Sequence, residues 1–350
     1  MEEPFTIAGV EIKPGERKCI DMPSARLYTQ TPMKIPVHVV RGRYPGPVLF
    51  VTAALHGDEI NGVEIIRRLL KLAALRHLHG TLIAVPVVNI YGFISLSRYL
   101  PDRRDLNRSF PGSPKGSLAS RLANLLMTEI VSKCDYGIDL HTGAIHRPNL
   151  PQVRVNLEIS GVVPLAKAFN VPVILNSRLR EGSLRKAAGE LGIPVLVFEG
   201  GEALRFDEFS TKMGVRGIRR VMESLGMLHL SPSRKRKSII PVIGRCSHWV
   251  RAPRSGIVHP SKELGNIVKD GEVLGYILDP FGFENRQEIL SDREGIIIGK
   301  NNLPLVSQGD AIFHLACFEE IEIVQSQLEE LQALEERPPE VTVVMESPEW

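Results

Sequence analysis

The sequence predicts an α/β fold, with a mainly parallel sheet flanked by helices and a C-terminal all-β domain built as a barrel or sandwich. Three observations lead to this prediction. Short apolar runs alternate with amphipathic helical patterns in the first two thirds of the chain, which is typical of parallel sheets covered by helices. The remaining third has short Val/Ile segments between glycines and a weak internal repeat, a pattern typical of β-hairpins. The length of 350 residues suits two domains.

Predicted strands and helices alternate along the first part of the chain. The strands cover residues 48–55, 81–88, 136–140, 171–176 and 194–200, and the helices cover 59–75, 117–131 and 181–192, with Ser117 as the predicted cap of the second helix. Consecutive strands joined by helices run parallel, and such sheets carry their active sites where the strands end. The ends of these strands are therefore where we expect functional residues.

The second part of the chain repeats one short pattern. The segment Gly256–Val258 corresponds to Gly295–Ile297, and each is followed by V-x-x-G and an acidic residue. Between the two parts lies SPSRKRKS, a polar and basic stretch of the kind that separates domains. The sequence predicts three divisions: an α/β domain carrying the functional site at 1–235, a β-barrel or sandwich domain at 236–335, and a loose acidic tail at 336–350. A helix is also predicted at 319–336, at the end of the second domain.

Composition and charge exclude several classes of protein. The formal net charge is only +3, so the molecule as a whole is not the polycation that nucleic-acid binding favours. No apolar run reaches the roughly 18 residues of a membrane helix, and the acidic start MEEPFT is unlike a signal peptide. The four cysteines are far apart without C-x-x-C spacing, which argues against a disulfide framework and against a thiolate zinc site. We expect a soluble cytoplasmic protein that binds neither nucleic acid nor membrane.

Two histidines and one glutamate fall at the ends of predicted strands. His56 directly follows the strand at 48–55, and Glu59 comes three residues later in the first predicted helical turn, so both side chains would share one face. His141 closes the strand YGIDL. Two imidazoles and a carboxylate form a catalytic zinc set that leaves one position open for water. The alternative is that His56 caps the helix, Glu59 stabilises its positive end and His141 is a core residue; spacing alone does not decide between them.

Four ordered motifs, LHGDE, DLNRSFPG, DLHTG and FEGGE, resemble those of the succinylglutamate desuccinylase and aspartoacylase family, relatives of the zinc carboxypeptidases. The similarity runs through most of residues 35–320. It implies a zinc carboxypeptidase-like fold, one zinc ion per subunit, and hydrolysis of the amide bond of an N-acylated amino acid or similar small amide. The residues it implies are His56, Glu59 and His141 as zinc ligands, Glu199 and Arg98 as catalytic groups, and Asn107 and Arg108 as ligands of the substrate carboxylate.

The carboxylate at the end of the last predicted strand suits proton transfer. The resemblance implies that Glu199 takes a proton from a zinc-bound water, the nucleophile, and passes it to the leaving amine, with Glu202 as the alternative base. Asp139, two residues before the second histidine ligand, faces the same side of its strand, where it would either orient that ligand or be a buried polar residue satisfied by backbone. His146 and His248 are not expected to be ligands, because the family pattern leaves no position for them.

The arginines between residues 98 and 108 suit an anionic substrate. The resemblance implies that Arg98 polarises the scissile carbonyl, and Arg103 and Arg104 in the same predicted loop are the alternatives. Arg108 offers a planar fork of donors for a carboxylate. Its alternative role is a structural ion pair with one of the two nearby aspartates, Asp102 or Asp105.

The sequence therefore predicts a zinc-dependent deacylase that hydrolyses carbon–nitrogen bonds other than peptide bonds in a small anionic N-acyl amino acid. A metallocarboxypeptidase acting on peptides is the alternative within the enzyme class, and a binding module using the basic run at 234–237 is the alternative outside it. The second domain resembles biotinyl and lipoyl carrier modules, but Lys262, Lys269 and Lys300 lack the flanking residues of a carrier lysine, so we expect a structural or lid role. A homo-oligomer is compatible with the sequence.

Overall fold

The computed structural model describes residues 5–229 and 242–318. The basic run at 234–237, the predicted helix at 319–336 and the predicted acidic tail at 336–350 lie outside the described residues. Within the two described ranges, no helix combines the length and the apolar character needed to span a membrane.

The bounds of the described elements are as follows. The strands are β1 (Thr6–Ile7), β2 (Val10–Glu11), β3 (Arg17–Pro23), β4 (Lys34–Arg41), β5 (Tyr44–Ala53), β6 (His79–Val85), β7 (Tyr136–Gly143), β8 (Asn149–Val155), β9 (Val173–Asn176), β10 (Val195–Glu202), β11 (Val242–Gly244), β12 (Cys246–Arg251), β13 (Gly256–Pro260), β14 (Ile267–Val268), β15 (Val273–Leu278), β16 (Gln287–Leu290), β17 (Gly295–Lys300), β18 (Leu305–Val306) and β19 (Ala311–Cys317). The α-helices are α1 (Asn61–Leu69), α2 (Ile90–Ile94), α3 (Leu118–Glu129), α4 (Val162–Phe169), α5 (Leu184–Glu190) and α6 (Glu208–Ser224), and 3₁₀ helices occupy Ala73–His77, Leu106–Arg108 and Val131–Lys133.

The described residues contain a large sheet of 13 strands. At its centre β6, β5, β7 and β10 lie side by side and run parallel. β8 runs antiparallel to β10, and β4 runs antiparallel to β6. The sheet is therefore mixed, and the mainly parallel arrangement expected from the sequence is limited to this centre and to β8, β9 and β11. Only five residues link β7 to β8, too few for the crossover that a parallel strand requires.

Most of the predicted elements are confirmed, with shifted ends. β5, β6, β7, β9 and β10 coincide with the predicted strands. The Ser117 side chain caps α3, as predicted, by accepting a hydrogen bond from the N–H of Ser120 at 3.3 Å. The helix expected at 59–75 is shorter, because Leu72 takes an extended conformation with φ −66° and ψ 122°. This break lets Leu75 and Leu78 enter the core.

The two faces of β7 and β10 differ in polarity. On one face, Leu140 and Phe198 join a large apolar core to which α1, α4 and α6 also contribute. Side chains alternate between faces along a strand, so Asp139, His141 and Glu199 lie on the opposite face. The strand register places Glu199 directly beside His141. The fold thus presents polar residues together where the parallel strands end.

The C-terminal region is β-rich, and its internal repeat is visible in the strands. The first copy supplies β13, β14 and β15, and the second supplies β17, β18 and β19. The copies exchange their short strands: β14 pairs with β17, and β18 pairs with β13. A four-stranded sheet, β16–β15–β13–β18, shares one apolar cluster with β12, β17 and β19. Because β17 also pairs with β8, these strands extend the large sheet, and the domain boundaries stay a prediction.

Candidate metal centre and active-site cavity

Three buried side chains meet where β5 and β7 end. His56 follows β5 in a turn, in which the Glu59 N–H donates to the His56 carbonyl oxygen at 3.1 Å. This turn, rather than the helical turn expected from the sequence, brings the two residues together, since α1 begins only at Asn61. Glu59 lies between the histidines: its Oε1 is 2.7 Å from His56 Nδ1, and its Oε2 is 2.7 Å from His141 Nδ1.

The position of this turn depends on a close backbone approach. A Cβ atom at Gly57 would lie 2.0 Å from the backbone carbonyl carbon of Gly92 in α2. No residue with a side chain fits there without moving one of the two segments. Glycine at position 57 therefore allows the turn to hold His56 and Glu59 against the sheet.

The three side chains fit a divalent metal ion. Their candidate ligand atoms all lie within 4.8 Å of one another. His56, Glu59 and His141 are 4%, 2% and 5% exposed, so ligand exchange with bulk water is restricted. Two imidazole nitrogens and a carboxylate oxygen are the donor set of catalytic zinc sites, and the same donors suit several other divalent ions.

Two aspartates support the histidines from outside. Asp105 Oδ1 lies 3.1 Å from His56 Nε2, and Asp139 Oδ2 lies 2.7 Å from His141 Nε2. Asp139 is itself fixed, because the Thr52 hydroxyl donates to its other oxygen at 2.8 Å. Of the two readings left open for Asp139, contact with the histidine is the one observed. Carboxylates of this kind orient the rings of metal-binding histidines.

The ionisation of this cluster is coupled. Burial opposes the charged form of Glu59, but His56 and His141 hold the pKa of its carboxyl well below the usual value. Burial also opposes the charged form of His56, yet Glu59 and Asp105 raise the pKa of its imidazole. In the same way Asp139 and Glu59 outweigh burial and raise the pKa of His141 well above its usual value. The carboxylates of Glu59, Asp105 and Asp139 thus stabilise positive charge between and on the two imidazoles, and a bound metal ion would be stabilised in the same way.

Arg98 reaches the cluster from the segment after α2. Its Nη1 donates to Glu59 Oε1 at 3.3 Å, and its Nη2 donates to Asp105 Oδ2 at 2.9 Å. The two arginines that the sequence left as alternatives are placed differently: Arg104 contacts Asp102 at 3.9 Å, and Arg103 is exposed. Arg98 is therefore the arginine of this segment that adjoins the His–Glu–His cluster, and its catalytic role stays a prediction.

Glu199 and its alternative, Glu202, have different surroundings. Glu199 lies beside His141, and its Oε2 accepts hydrogen bonds from Asn149 at 2.8 Å and contacts Arg154 at 3.0 Å. Glu202 instead accepts the backbone N–H of His146 at 3.0 Å. Glu199 is therefore the carboxylate beside His141, whereas Glu202 holds the segment after β7, and the catalytic role of Glu199 stays a prediction.

A cavity of about 470 Å³ contains Glu199. It is bounded by the ends of β7–β10 and by β12 and β19 of the C-terminal region. The lining residues are Thr142, Gly143, Ala144, Arg147, Asn149, Arg154, Leu175, Asn176, Ser177, Arg178, Arg180, Glu199, Ser247, Trp249 and His314. Four arginines therefore face one carboxylate, and the cavity is strongly cationic.

Two arginines near the cavity have a buried donor atom without a partner. Within the described residues, Arg154 Nε and Arg185 Nη1 are buried without a hydrogen-bond partner. Burial, and then the charge of Arg154, lower the pKa of Arg185 to about 10, while Glu199 opposes this shift. Buried donors of this kind are costly unless they are paired, so an anion would stabilise this side of the cavity.

The two residues predicted to hold the substrate carboxylate lie outside the lining of this cavity. Asn107 Oδ1 accepts the backbone N–H of Leu184 at 3.0 Å, at the start of α5. Arg108 is exposed and donates to the Asn107 carbonyl oxygen. The cavity around Glu199 is not lined by either residue. The alternative ion pair of Arg108 is not found among the described contacts either, since Asp102 contacts Arg104 and Asp105 contacts Arg98.

Two other histidines lie outside the His–Glu–His cluster, and three residues near the cluster and the cavity were not identified from the sequence. His146 is exposed, and His248 contacts Asp292, so neither belongs to the His–Glu–His cluster. The sequence predicts Asp105 only as a partner of Arg108, whereas it contacts His56; its place within the DLNR motif is the signal that could have indicated this. Arg154 and Arg185 gave no signal, because their approach to Glu199 depends on how β8 and α5 pack.

A buried histidine in the cavity wall predicts a dependence of stability on pH. His314 stacks on Trp249 with 4.6 Å between ring centroids, and burial, followed by Arg154 and His248, lowers the pKa of His314 to about 3. An unfolded histidine takes up its proton near pH 6.5, so stability is lost as the pH falls from about 6.5 towards 3. We expect a loss of about 2 kcal/mol in unfolding free energy between pH 7.5 and 5 from this residue.

The measurement is urea unfolding at the two pH values. His314→Phe, which retains an aromatic ring, should lose about 2 kcal/mol less than the wild type between them. His77→Phe, at an exposed position, is the matched control and should follow the wild type. Equal losses in His314→Phe and the wild type would contradict the assignment.

A buried His–Glu–His set at strand ends, supported by carboxylates and adjoining a cationic cavity with one glutamate, is typical of metal-dependent hydrolases. Residues 45–225 match the succinylglutamate desuccinylase/aspartoacylase catalytic domain. Because this match spans about half of the chain, the protein belongs to that family, as the sequence motifs predicted. Membership places it among deacylases that hydrolyse amide bonds.

Individual proteins similar to this chain support the assignment. N-alpha-acetyl-L-2,4-diaminobutyric acid deacetylase from Halomonas elongata is 27% identical over 303 residues, which cover 83% of this chain and 86% of the relative. The structure of succinylglutamate desuccinylase/aspartoacylase from Rhodobacter sphaeroides is similar with a TM-score of 0.77 and 25% identity, over 86% of this chain and 96% of that one. The product-bound ectoine utilization protein EutE (DoeB) from Ruegeria pomeroyi shares the fold, with a TM-score of 0.77 and 22% identity over 90% and 99% of the two chains.

Proposed function

We propose that this protein is a zinc-dependent hydrolase that removes the acyl group from a small anionic N-acyl amino acid. The observation that carries the proposal is the placement of Glu199 beside His141 on one face of the sheet, at the wall of a cavity that four arginines make cationic. The family assignment supports amide hydrolysis, and the chemistry of the His–Glu–His cluster supports the metal.

The His–Glu–His cluster would hold one zinc ion per chain. His56 and His141 would offer their Nδ1 atoms, which both face the Glu59 carboxylate, while Asp105 and Asp139 hold the opposite ring nitrogens. When bound, zinc supplies a Lewis acid that lowers the pKa of a water molecule from 15.7 to about 7.

Glu199 would act as the proton carrier. Asn149 and Arg154 both engage its Oε2, which leaves Oε1 to take a proton from the attacking water. The same oxygen would then return the proton to the amine that leaves, so one carboxylate serves as base and acid. Arg154 fixes the orientation of this group without occupying the oxygen that moves the proton.

Three further residues would act on the substrate. Arg98, next to Glu59, would stabilise negative charge on the scissile carbonyl oxygen. Asn107 and Arg108 would contact the substrate carboxylate, as the family resemblance implies. Arg154, which lines the cavity, and Arg185 nearby extend this proposal, because each has a buried donor without a partner in the described residues.

The proposal is tested with zinc-loaded protein, N-acyl amino acids and short peptides. We expect release of the free amino acid from N-acetyl and N-succinyl derivatives of aspartate or glutamate, with kcat/KM roughly ten- to a hundredfold higher than for N-acetyl-diaminobutyrate. The extra carboxylate gains charge-assisted hydrogen bonds in the cationic cavity, each worth about 1.5–3 kcal/mol, whereas the diaminobutyrate carries an amine. Cleavage of peptides alone would support the metallocarboxypeptidase alternative instead.

A matched pair of variants connects this preference to the cavity. Arg178 lines the cavity, and Arg178→Met should remove most of the preference for the acidic substrates by raising KM. Arg121 is exposed on α3 and does not line the cavity, so Arg121→Met should keep the preference. Equal behaviour of the two variants would show that the cavity does not select the substrate.

The cytoplasmic location inferred from composition remains part of this proposal. We do not propose that the protein binds nucleic acid. The basic run at 234–237, which suggested such binding, lies outside the described residues.

A further inference from the structure

Two of the four cysteines, far apart in the sequence, face each other across neighbouring strands. Cys246 begins β12 and Cys317 ends β19, and the antiparallel register pairs these two residues directly. Directly opposed residues in an antiparallel pair have Cα atoms about 4.5 or 5.5 Å apart, within the range of about 4.4–6.8 Å that a disulfide needs.

We propose that Cys246 and Cys317 form a reversible disulfide that ties β12 to β19. The bond would form by exchange with a small disulfide such as oxidised glutathione. The Cys246 sulfur attacks the small disulfide and releases one glutathione thiol; the Cys317 sulfur then attacks the mixed disulfide, loses its proton to solvent and releases the second. Two protein thiols are oxidised while one small disulfide is reduced to two thiols.

The different exposure of the two thiols indicates which of them attacks the small disulfide first. Cys246 is exposed, whereas Cys317 is half-buried. Burial, and then the contact with Cys246, raise the pKa of the Cys317 thiol to about 11, while Arg293 beside it opposes the rise. Because thiolates are the attacking species, the accessible Cys246 reacts first, and Cys317 reacts once Cys246 has become part of a mixed disulfide.

A metal site at the same place is less well supported. Among residues 5–229 and 242–318, the group of three or more metal-ligating side chains that share the reach of one ion is the His–Glu–His cluster. The two thiols have no third ligand of that kind in the described residues. Two facing thiols without another donor suit a disulfide better than an ion.

The disulfide would lie directly behind the cavity wall. Side chains alternate along β12, so Cys246 points to one face while Ser247 and Trp249 point to the other, where they line the cavity. His314, three residues before Cys317 in β19, stacks on Trp249. A covalent tie at the ends of β12 and β19 would therefore restrict the two strands that carry this wall.

The test uses the full-length protein, oxidised glutathione and peptide mapping without reduction. We expect a linked Cys246–Cys317 peptide that disappears after treatment with dithiothreitol. Cys317→Ser should instead retain glutathione on Cys246. Cys19 is exposed and has no facing cysteine, so Cys19→Ser is the matched control and should still form the linked peptide. Unreacted thiols, or glutathione on both Cys246 and Cys317 of the wild type, would overturn the proposal.

Thermal unfolding provides a second measurement that does not depend on the enzymatic activity. Oxidation should raise the Tm of the wild type by roughly 5 °C, because the bond closes a long loop in the unfolded chain. The Tm of Cys246→Ser should not respond to the same treatment. A linked peptide without a higher Tm would show that the bond does not tie the folded strands together.

Discussion

Replacing Glu199 with glutamine is expected to lower kcat by about 10²–10⁴-fold while the protein keeps its fold and its metal. The amide of glutamine has nearly the shape of the carboxylate, but it cannot take up and return a proton at neutral pH. Steady-state kinetics on an N-acyl amino acid, together with metal analysis of the same sample, measures both expectations.

The control for this variant is Glu202→Gln. Glu202 belongs to the same FEGGE motif, but its carboxylate accepts the backbone N–H of His146 rather than facing His141. We expect turnover close to that of the wild type. If Glu202→Gln loses most of its turnover and Glu199→Gln does not, the proton carrier is Glu202.

Removing one imidazole from the His–Glu–His cluster is expected to abolish stoichiometric zinc binding. His56→Ala deletes one of three proposed ligands and removes the ring that contacts both Glu59 and Asp105. The loss of affinity should exceed the ~10–100-fold that removal of a supporting partner costs. Zinc per chain after dialysis, measured by elemental analysis, gives the result directly.

Two further variants make the metal experiment specific. Asp139→Asn keeps all three proposed ligands but weakens the support of His141, so zinc affinity should fall by ~10–100-fold. His146→Ala removes an exposed histidine outside the cluster and should retain zinc. Normal zinc content in His56→Ala would contradict the ligand assignment, and loss of zinc in His146→Ala would point to a different site.

The sequence predicted the centre of the fold and the convergence of the residues in the His–Glu–His cluster. The strand ending before His56 and the strand containing His141 are local patterns of apolar residues, so they could be located without tertiary information. Once both strands were placed in one sheet, convergence of His56, Glu59 and His141 followed from the common edge at which parallel strands end. The error in the helical turn around Glu59 did not matter, because the observed turn also joins residues three apart.

The cavity could not be predicted in the same way. Arg154 contacts Glu199 only because β8 reverses direction after a short link, and Arg185 lies near this carboxylate only because α5 packs against the sheet. The facing of Cys246 and Cys317 likewise depends on the register of two strands at opposite ends of a repeat. Such contacts depend on tertiary packing, so they cannot be predicted from the spacing of residues in the sequence.

The exchange of short strands within the repeat has a consequence for folding. β14 of the first copy pairs with β17 of the second, and β18 of the second copy pairs with β13 of the first. If either copy is missing, the backbone N–H and C=O groups of the other copy that form these hydrogen bonds have no partner. The two should melt as a single cooperative unit, and a truncation within either one would expose a sticky strand edge prone to aggregation. Because His314 belongs to β19 of the second copy, its stacking on Trp249, and with it this part of the cavity wall, would form only when that unit has folded.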